Sequence, residues 1–181
     1  MISSFADNYR FLARYNRWIN QRLYDACEGL TDEQRKRERG AFFGSLHRTL
    51  NHLVVADQVW LRRFVQCGLD HGVTLDGLDT GVLDLPDGSR LDTVLFDDWQ
   101  ALRAKREQLD AATERWVAAM PEGYPQFTMR YSNSKGVERA HPAWQAMTHF
   151  FNHQTHHRGQ ATTLLTQAGV DIGVTDLSAL V

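Results

Sequence analysis

Four of the chain's eight histidines, His149, His153, His156 and His157, fall within nine consecutive positions near the C-terminal end. Imidazole carries protons near neutral pH and is the commonest metal ligand, so the display of these rings decides what chemistry is open to the chain. At about 100° per residue, His153 and His157 lie one helical turn apart on one face. The same face carries Ala146, Phe150, Gln160 and Leu164, which places the pair among core-facing residues. His149 lies one turn before His153 on the flank of that face, and His156 is rotated away. A helical i, i+4 pair brings two ring nitrogens within reach of one ion, the reason H-x-x-x-H recurs on zinc-binding helices. The same spacing also serves hydrogen-bonded core histidines, so a metal site needs a third ligand.

An earlier helical stretch offers two histidines for that role. Leu46, Leu50, Leu53, Trp60 and Phe64 form its main apolar stripe, with His47 and His52 on opposite flanks. His52 shares a second strip with Val55 and Val59, His47 shares the other flank with Val54 and Leu61, and periodicity does not choose between them. Asp57 falls within the apolar stripe, where an unpaired carboxylate is costly, so a partner is expected. That partner is either a ligand histidine or an arginine in a salt bridge. Gln160 and Asn152 are further candidates to hold the ligands in place. No Glu follows His153, so the H-E-x-x-H arrangement of a zinc protease is absent.

The elements that must position these residues are helical. Phe5, Tyr9, Leu12, Ile19, Leu23 and Ala26 recur at helical steps, with Ser3 or Ser4 as cap. Thr31 and Gln34 form a capping-box pattern that opens a short charged helix ending before Gly40. The second long helix is expected from about Ser45 to Val65, with Gly68 ending it. Residues 66 to 91, with the turn signal Pro86-Asp-Gly-Ser89, read as a long irregular connection. Asp92 is expected to cap a third helix reaching about Met120, before Pro121. Phe127 to Tyr131 and Val137 to Arg139, separated by Ser132-Asn-Ser-Lys-Gly136, read as a hairpin. The last helix is expected to open at His141-Pro142 and end near Ala168, with Gly169 as its cap. Four long helices with one long crossover make an all-α four-helix bundle, in a single domain over residues 1–181.

Composition narrows the partners. The chain is 43% hydrophobic and 23% charged, as globular proteins are. No stretch approaches the roughly 20 apolar residues needed to span a membrane. The first residues lack the basic and apolar regions of a secretory signal, so a cytoplasmic location is expected. The net charge is −2, with basic residues dispersed among acidic ones, which argues against nucleic acid. Cys27 and Cys67 form no C-x-x-C arrangement and read as small buried residues. The several apolar faces of the second long helix, Val55 and Val59 included, suggest a homodimer.

With these residues in view, the segments Ser45-Leu-His-Arg-Thr-Leu-Asn-His52-Leu-Val-Val-Ala-Asp57-Gln-Val-Trp60-Leu and Asn152-His153-Gln-Thr-His-His157-Arg-Gly-Gln160 resemble the DinB family. The resemblance extends through Leu95 to Arg103, Asn-Ser-Lys-Gly136 and Val-Thr-Asp-Leu177, nearly the whole chain. It implies an up-down-down-up bundle, often dimeric, with one divalent metal ion held by His52, His153 and His157. Zinc and nickel are the expected ions. Three neutral imidazoles leave coordination positions open, as in catalytic sites. The resemblance further implies a metal-dependent enzyme activating a low-molecular-weight thiol toward a small-molecule substrate, as a thiol-dependent transferase. Hydrolysis by activated water and a metal-binding stress protein without turnover are the alternatives. No residue stands out as catalytic beyond the ligands.

Overall fold

Four helices of 21 to 25 residues carry the architecture: α1 (Phe5–Glu28), α3 (Leu46–Asp70), α4 (Trp99–Ala119) and α5 (Ala143–Gln167). A five-residue helix, α2 (Asp32–Lys36), follows α1. The structure, a computed structural model, describes residues 4–74 and 80–181. Ser3 and the 75–79 part of the expected irregular connection lie outside the described residues.

Short polar side chains start α1, α2, α3 and α4 by accepting hydrogen bonds from otherwise unpaired backbone N–H groups. Ser4 and Asp7 cap one another's backbone at α1, and Thr31 and Gln34 do the same at α2. Ser45 accepts from the Arg48 N–H at α3, and Asp98 from the Ala101 N–H at α4. Glycine ends α3 and α5. Gly72 at φ 73° and Gly169 at φ 79° take the left-handed conformation. This lets Val73 N–H return to the Gly68 carbonyl at 2.9 Å, and Val170 N–H to that of Leu165 at 3.0 Å. Gly68 therefore lies inside the last turn of α3, and the helix runs past the expected stop.

Cross-helix contacts fix the directions. Arg17 meets Glu114, Asn20 meets Asp110 and Glu28 meets Trp99, so α1 and α4 are antiparallel. His52 meets His157, Asp57 meets Gln154 and Trp60 meets His149, so α3 and α5 are antiparallel. Asp57 with Arg106 and Phe64 with Trp116 make α3 and α4 parallel. Tyr9 with Thr148 and Asn16 with Arg158 do the same for α1 and α5. The bundle is therefore up-down-down-up, as expected. Its core fills with rings and aliphatic side chains. Trp116 stacks on Phe64 at 4.5 Å and meets Phe150 edge-on at 6.5 Å. Each such fully buried side chain contributes about 1.5–3 kcal/mol.

The long crossover runs from α3 back to α4 and lies across α3. It contains a short 3-10 turn at Thr80–Leu83, whose Val82 and Leu83 are buried. The amide of Gln58 donates to the Val82 and Asp84 carbonyls. Of the apolar strip beside His52, Val55 is buried within one chain and Val59 is partly buried. Helix α4 starts at Trp99 rather than after Asp92 because Asn51 captures the preceding backbone. The Asn51 side chain accepts from Phe96 N–H at 2.9 Å and donates to its carbonyl at 3.0 Å. Those backbone groups are then unavailable to a helix.

A two-stranded antiparallel hairpin, β1 (Thr128–Ser132) with β2 (Glu138–Pro142), precedes α5. Its second strand is longer than expected and takes in His141 and Pro142, so α5 opens at Ala143. Among the described residues no helix is long and apolar enough to cross a membrane.

Candidate metal centre

The site lies between the N-terminal half of α3, which supplies His52, and the middle of α5, which supplies His153 and His157. Antiparallel packing brings the three rings together. His52 Nε2 lies 3.1 Å from His153 Nε2. One ring nitrogen from each of His52, His153 and His157 falls within 4.8 Å of the others.

Protons can be assigned to two of the rings from their partners. His52 Nδ1 lies 2.7 Å from the Leu91 carbonyl. A carbonyl only accepts, so Nδ1 carries the proton and Nε2 presents a lone pair. His157 Nδ1 lies 2.9 Å from Gln160 Oε1, while the amide nitrogen of Gln160 donates to His156 Nε2 at 3.2 Å. That orientation leaves the His157 Nε2 lone pair uncommitted. Around a tetrahedral ion with bonds of 2.0–2.1 Å, ligand nitrogens stand about 3.3 Å apart. The His52–His153 separation fits this spacing, and three neutral imidazoles suit a divalent ion.

Burial keeps the rings neutral. It pushes the pKa of His52 down to about 4 against the opposing pull of the Leu91 carbonyl. The pKa of His153 falls to about 3, through burial first and then the neighbouring His157 and His52. Burial also lowers His157. Phe43 covers the site from the loop before α3. Its ring stacks on His52 at 4.1 Å between centroids and tilts against His157 at 5.5 Å.

The other sequence candidates have distinct fates. His47 turns to the crossover, with Nε2 2.9 Å from the Phe96 carbonyl. Gln160 accepts the hydrogen bond of His157 Nδ1 at 2.9 Å. His149 lies beside the site, its ring 5.7 Å from that of His153 and 5.0 Å from that of Trp60. Asn152 is exposed, and among the described residues no hydrogen bond joins it to the three histidines. Asp57 does not hold a histidine, which corrects one of the two readings of it. Its carboxylate is taken up by Arg106 at 2.6 Å and by the amide of Gln154. A carboxylate 1% exposed needs a full cationic partner, and neutral imidazole is not one.

Sequence reasoning missed two contributors to the site, Leu91 and Phe43, and one residue that fixes the crossover, Asn51. Leu91 acts through its backbone carbonyl, for which no side-chain signal exists. Phe43 stands outside any helical period, although an aromatic pair beside a predicted cap is a visible oddity. Asn51 was within view, since an amide on a buried helix face calls for partners. Cys27 and Cys67 are buried as expected, and burial pushes the Cys27 thiol up to about 12.

The chain matches the DinB family model over residues 5–180. It is 24% identical over 168 residues to Protein DinB of Bacillus subtilis (strain 168), an alignment spanning 91% of this chain and 88% of that protein. No solved structure matches it. With the family model covering nearly its whole length, this chain belongs to the DinB family.

Proposed function

We propose that the chain is a metal-dependent enzyme in which the Nε2 atoms of His52, His153 and His157 hold one divalent ion, zinc or nickel. Its open positions would take a low-molecular-weight thiol, which would lose its proton and bond through sulfur to the electrophilic centre of a small molecule as a leaving group departs, in a thiol-dependent transfer. The observation that carries this reading is the commitment of His52 and His157 Nδ1 to fixed acceptors, which aims Nε2 lone pairs at a shared space. When bound, such an ion supplies Lewis acidity and brings the pKa of a coordinated thiol or water toward neutrality.

The chain's own residues then have defined tasks. Burial holds the three imidazoles neutral, each with a single N–H, at neutral pH. The Leu91 carbonyl and Gln160 hold ring orientation, and Phe43 shields one face of His52 from water. The buried cysteines are unsuited to act as the nucleophile, which favours a thiol from outside the chain. Gln154, not Glu, follows His153, so the helix carries no built-in base of the zinc-protease kind, and this favours thiol chemistry over hydrolysis.

Metal analysis of tag-free protein is expected to give one ion per chain, lost in His153→Ala and His157→Ala. Stoichiometric metal unaffected by those changes contradicts the ligand assignment. Metal-loaded protein offered a panel of thiols, electrophiles and esters is expected to consume thiol and electrophile together. Ester hydrolysis alone identifies a hydrolase, and no metal-dependent turnover identifies a metal-binding stress protein.

A further inference from the structure

Beside the histidines, the bundle encloses a polar cluster with no part in the proposed chemistry. Asp57 of α3, Arg106 and Asp110 of α4, Asn16 and Asn20 of α1, and Gln154 and Arg158 of α5 are each no more than 4% exposed. Arg106 bridges the two carboxylates, at 2.6 Å from Asp57 and 2.9 Å from Asp110. Asn20 donates to Asp110 at 2.8 Å, and Arg158 donates to Asn16 and, at 3.4 Å, to Asn20 and Gln154. Two carboxylates against two guanidiniums balance the charge, and all four long helices contribute. Such a cluster adds little net stability over an apolar core, yet it tolerates only one register, because any slip leaves a buried charge unpaired.

Its placement on α5 ties it to the metal centre. His153 and His157 occupy one strip of that helix, and Gln154 and Arg158 occupy the next, about 100° around. The same two turns therefore carry two histidines and the two anchors. Gln154 joins the helices directly, since its amide donates to Asp57 of α3 while its oxygen accepts from Arg158. Resting on the metal-binding reading above, we propose that Gln154, which ties α5 to Asp57 of α3, and Arg158, which holds Gln154 and ties α5 to Asn16 and Asn20 of α1, are positioning residues that pre-set the spacing of His52 to His153 and His157 for the ion. Ligands fixed in advance lose less freedom on binding, so the network raises metal affinity without touching the metal.

The test is titration of metal-stripped protein with Co(II), read by its visible d–d absorption, in the wild type, Gln154→Leu and Arg158→Lys. Phe64→Leu is the control. It weakens the core about 18 Å further along α3 by the helical rise. Thermal unfolding of each metal-free protein is followed in parallel. The expected result is a Co(II) Kd raised about ten- to a hundredfold in Gln154→Leu, the range typical of residues that orient ligands. An altered absorption band and a smaller effect of the same sign in Arg158→Lys are expected with it. Phe64→Leu lowers stability and leaves Kd and spectrum alone. If the network variants lose stability but keep wild-type Kd and spectrum, the network is structural only and the proposal is overturned. If Phe64→Leu shifts Kd as much as they do, affinity follows global stability and the proposal is again overturned. Wild-type protein that does not bind Co(II) removes the metal reading itself, a failure distinct from the other two.

Discussion

Two polar regions sit side by side in this bundle, and they solve burial in opposite ways. Around Arg106 the carboxylates of Asp57 and Asp110 pair with its guanidinium, while Arg158 donates to the amide oxygens of Asn16, Asn20 and Gln154, so that all four long helices contribute. At His52, His153 and His157 the groups are uncharged, and His52 and His157 are each held on one side only. The first region draws its ion pairs and hydrogen bonds from within the chain. The second turns ring nitrogens toward one another at 3.1 Å, where two lone pairs gain nothing unless a proton or a cation lies between them. Polar residues on a buried helix face are thus of two kinds, and the difference lies in whether their partners are all within the chain.

The sharpest way to break this contrast is to remove a ligand. His153→Ala is expected to abolish stoichiometric zinc binding while leaving a folded bundle, checked by metal analysis and circular dichroism. Removing one charge from the closed region should do the reverse. Asp57→Ala leaves Gln154 without its acceptor and Arg106 with Asp110 alone, and is expected to cost about 3–5 kcal/mol in chemical denaturation.

Acid should separate the two regions as well. The folded-state pKa values of His52, about 4, and His153, about 3, lie below the unfolded value near 6.5. Between those values the unfolded chain takes up protons that the folded chain refuses. The stability these rings contribute is therefore complete above pH 6.5 and declines as pH falls toward 4 and then 3. The slope is at most about 1.4 kcal/mol per pH unit for each histidine. Urea titrations of metal-free protein at pH 7.5, 6 and 5 check this, and His52→Phe should flatten the profile.

Much of this layout is legible in the sequence. The helical period of Leu46 to Phe64, the caps at Ser4, Thr31 and Ser45, and Gly169 after α5 each mark an element that forms locally. The face shared by His153 and His157 follows from the same periodicity. What local pattern could not supply was anything decided by the crossover. His47 and His52 flank their stripe alike, and only tertiary packing distinguishes them: His52 meets α5 and the Leu91 carbonyl, whereas His47 meets the Phe96 carbonyl. The start of α4 was misplaced for the same reason, since Asn51 holds Phe96 out of the helix. Asp57 announced a need for a partner but not which one, because a carboxylate in an apolar stripe reads the same beside an arginine or a histidine.

Smaller effects refine the contrast. Gln160→Ala removes the acceptor that holds His157 Nδ1 and is expected to weaken zinc binding about ten- to a hundredfold with little change in folding. Competition with a chromophoric chelator measures this. Ser45→Ala removes the cap of α3 and is expected to cost about 1 kcal/mol in thermal unfolding without changing metal affinity.

The central claim is that imidazole nitrogens of α3 and α5 share one ion, and X-ray absorption at the zinc edge of the loaded protein tests it most directly. The account predicts about three nitrogen neighbours at 2.0–2.1 Å, with the outer-shell scattering of histidine rings, diminished in His157→Ala. A sulfur neighbour near 2.3 Å contributed by the chain, or a shell of oxygens alone, would contradict it.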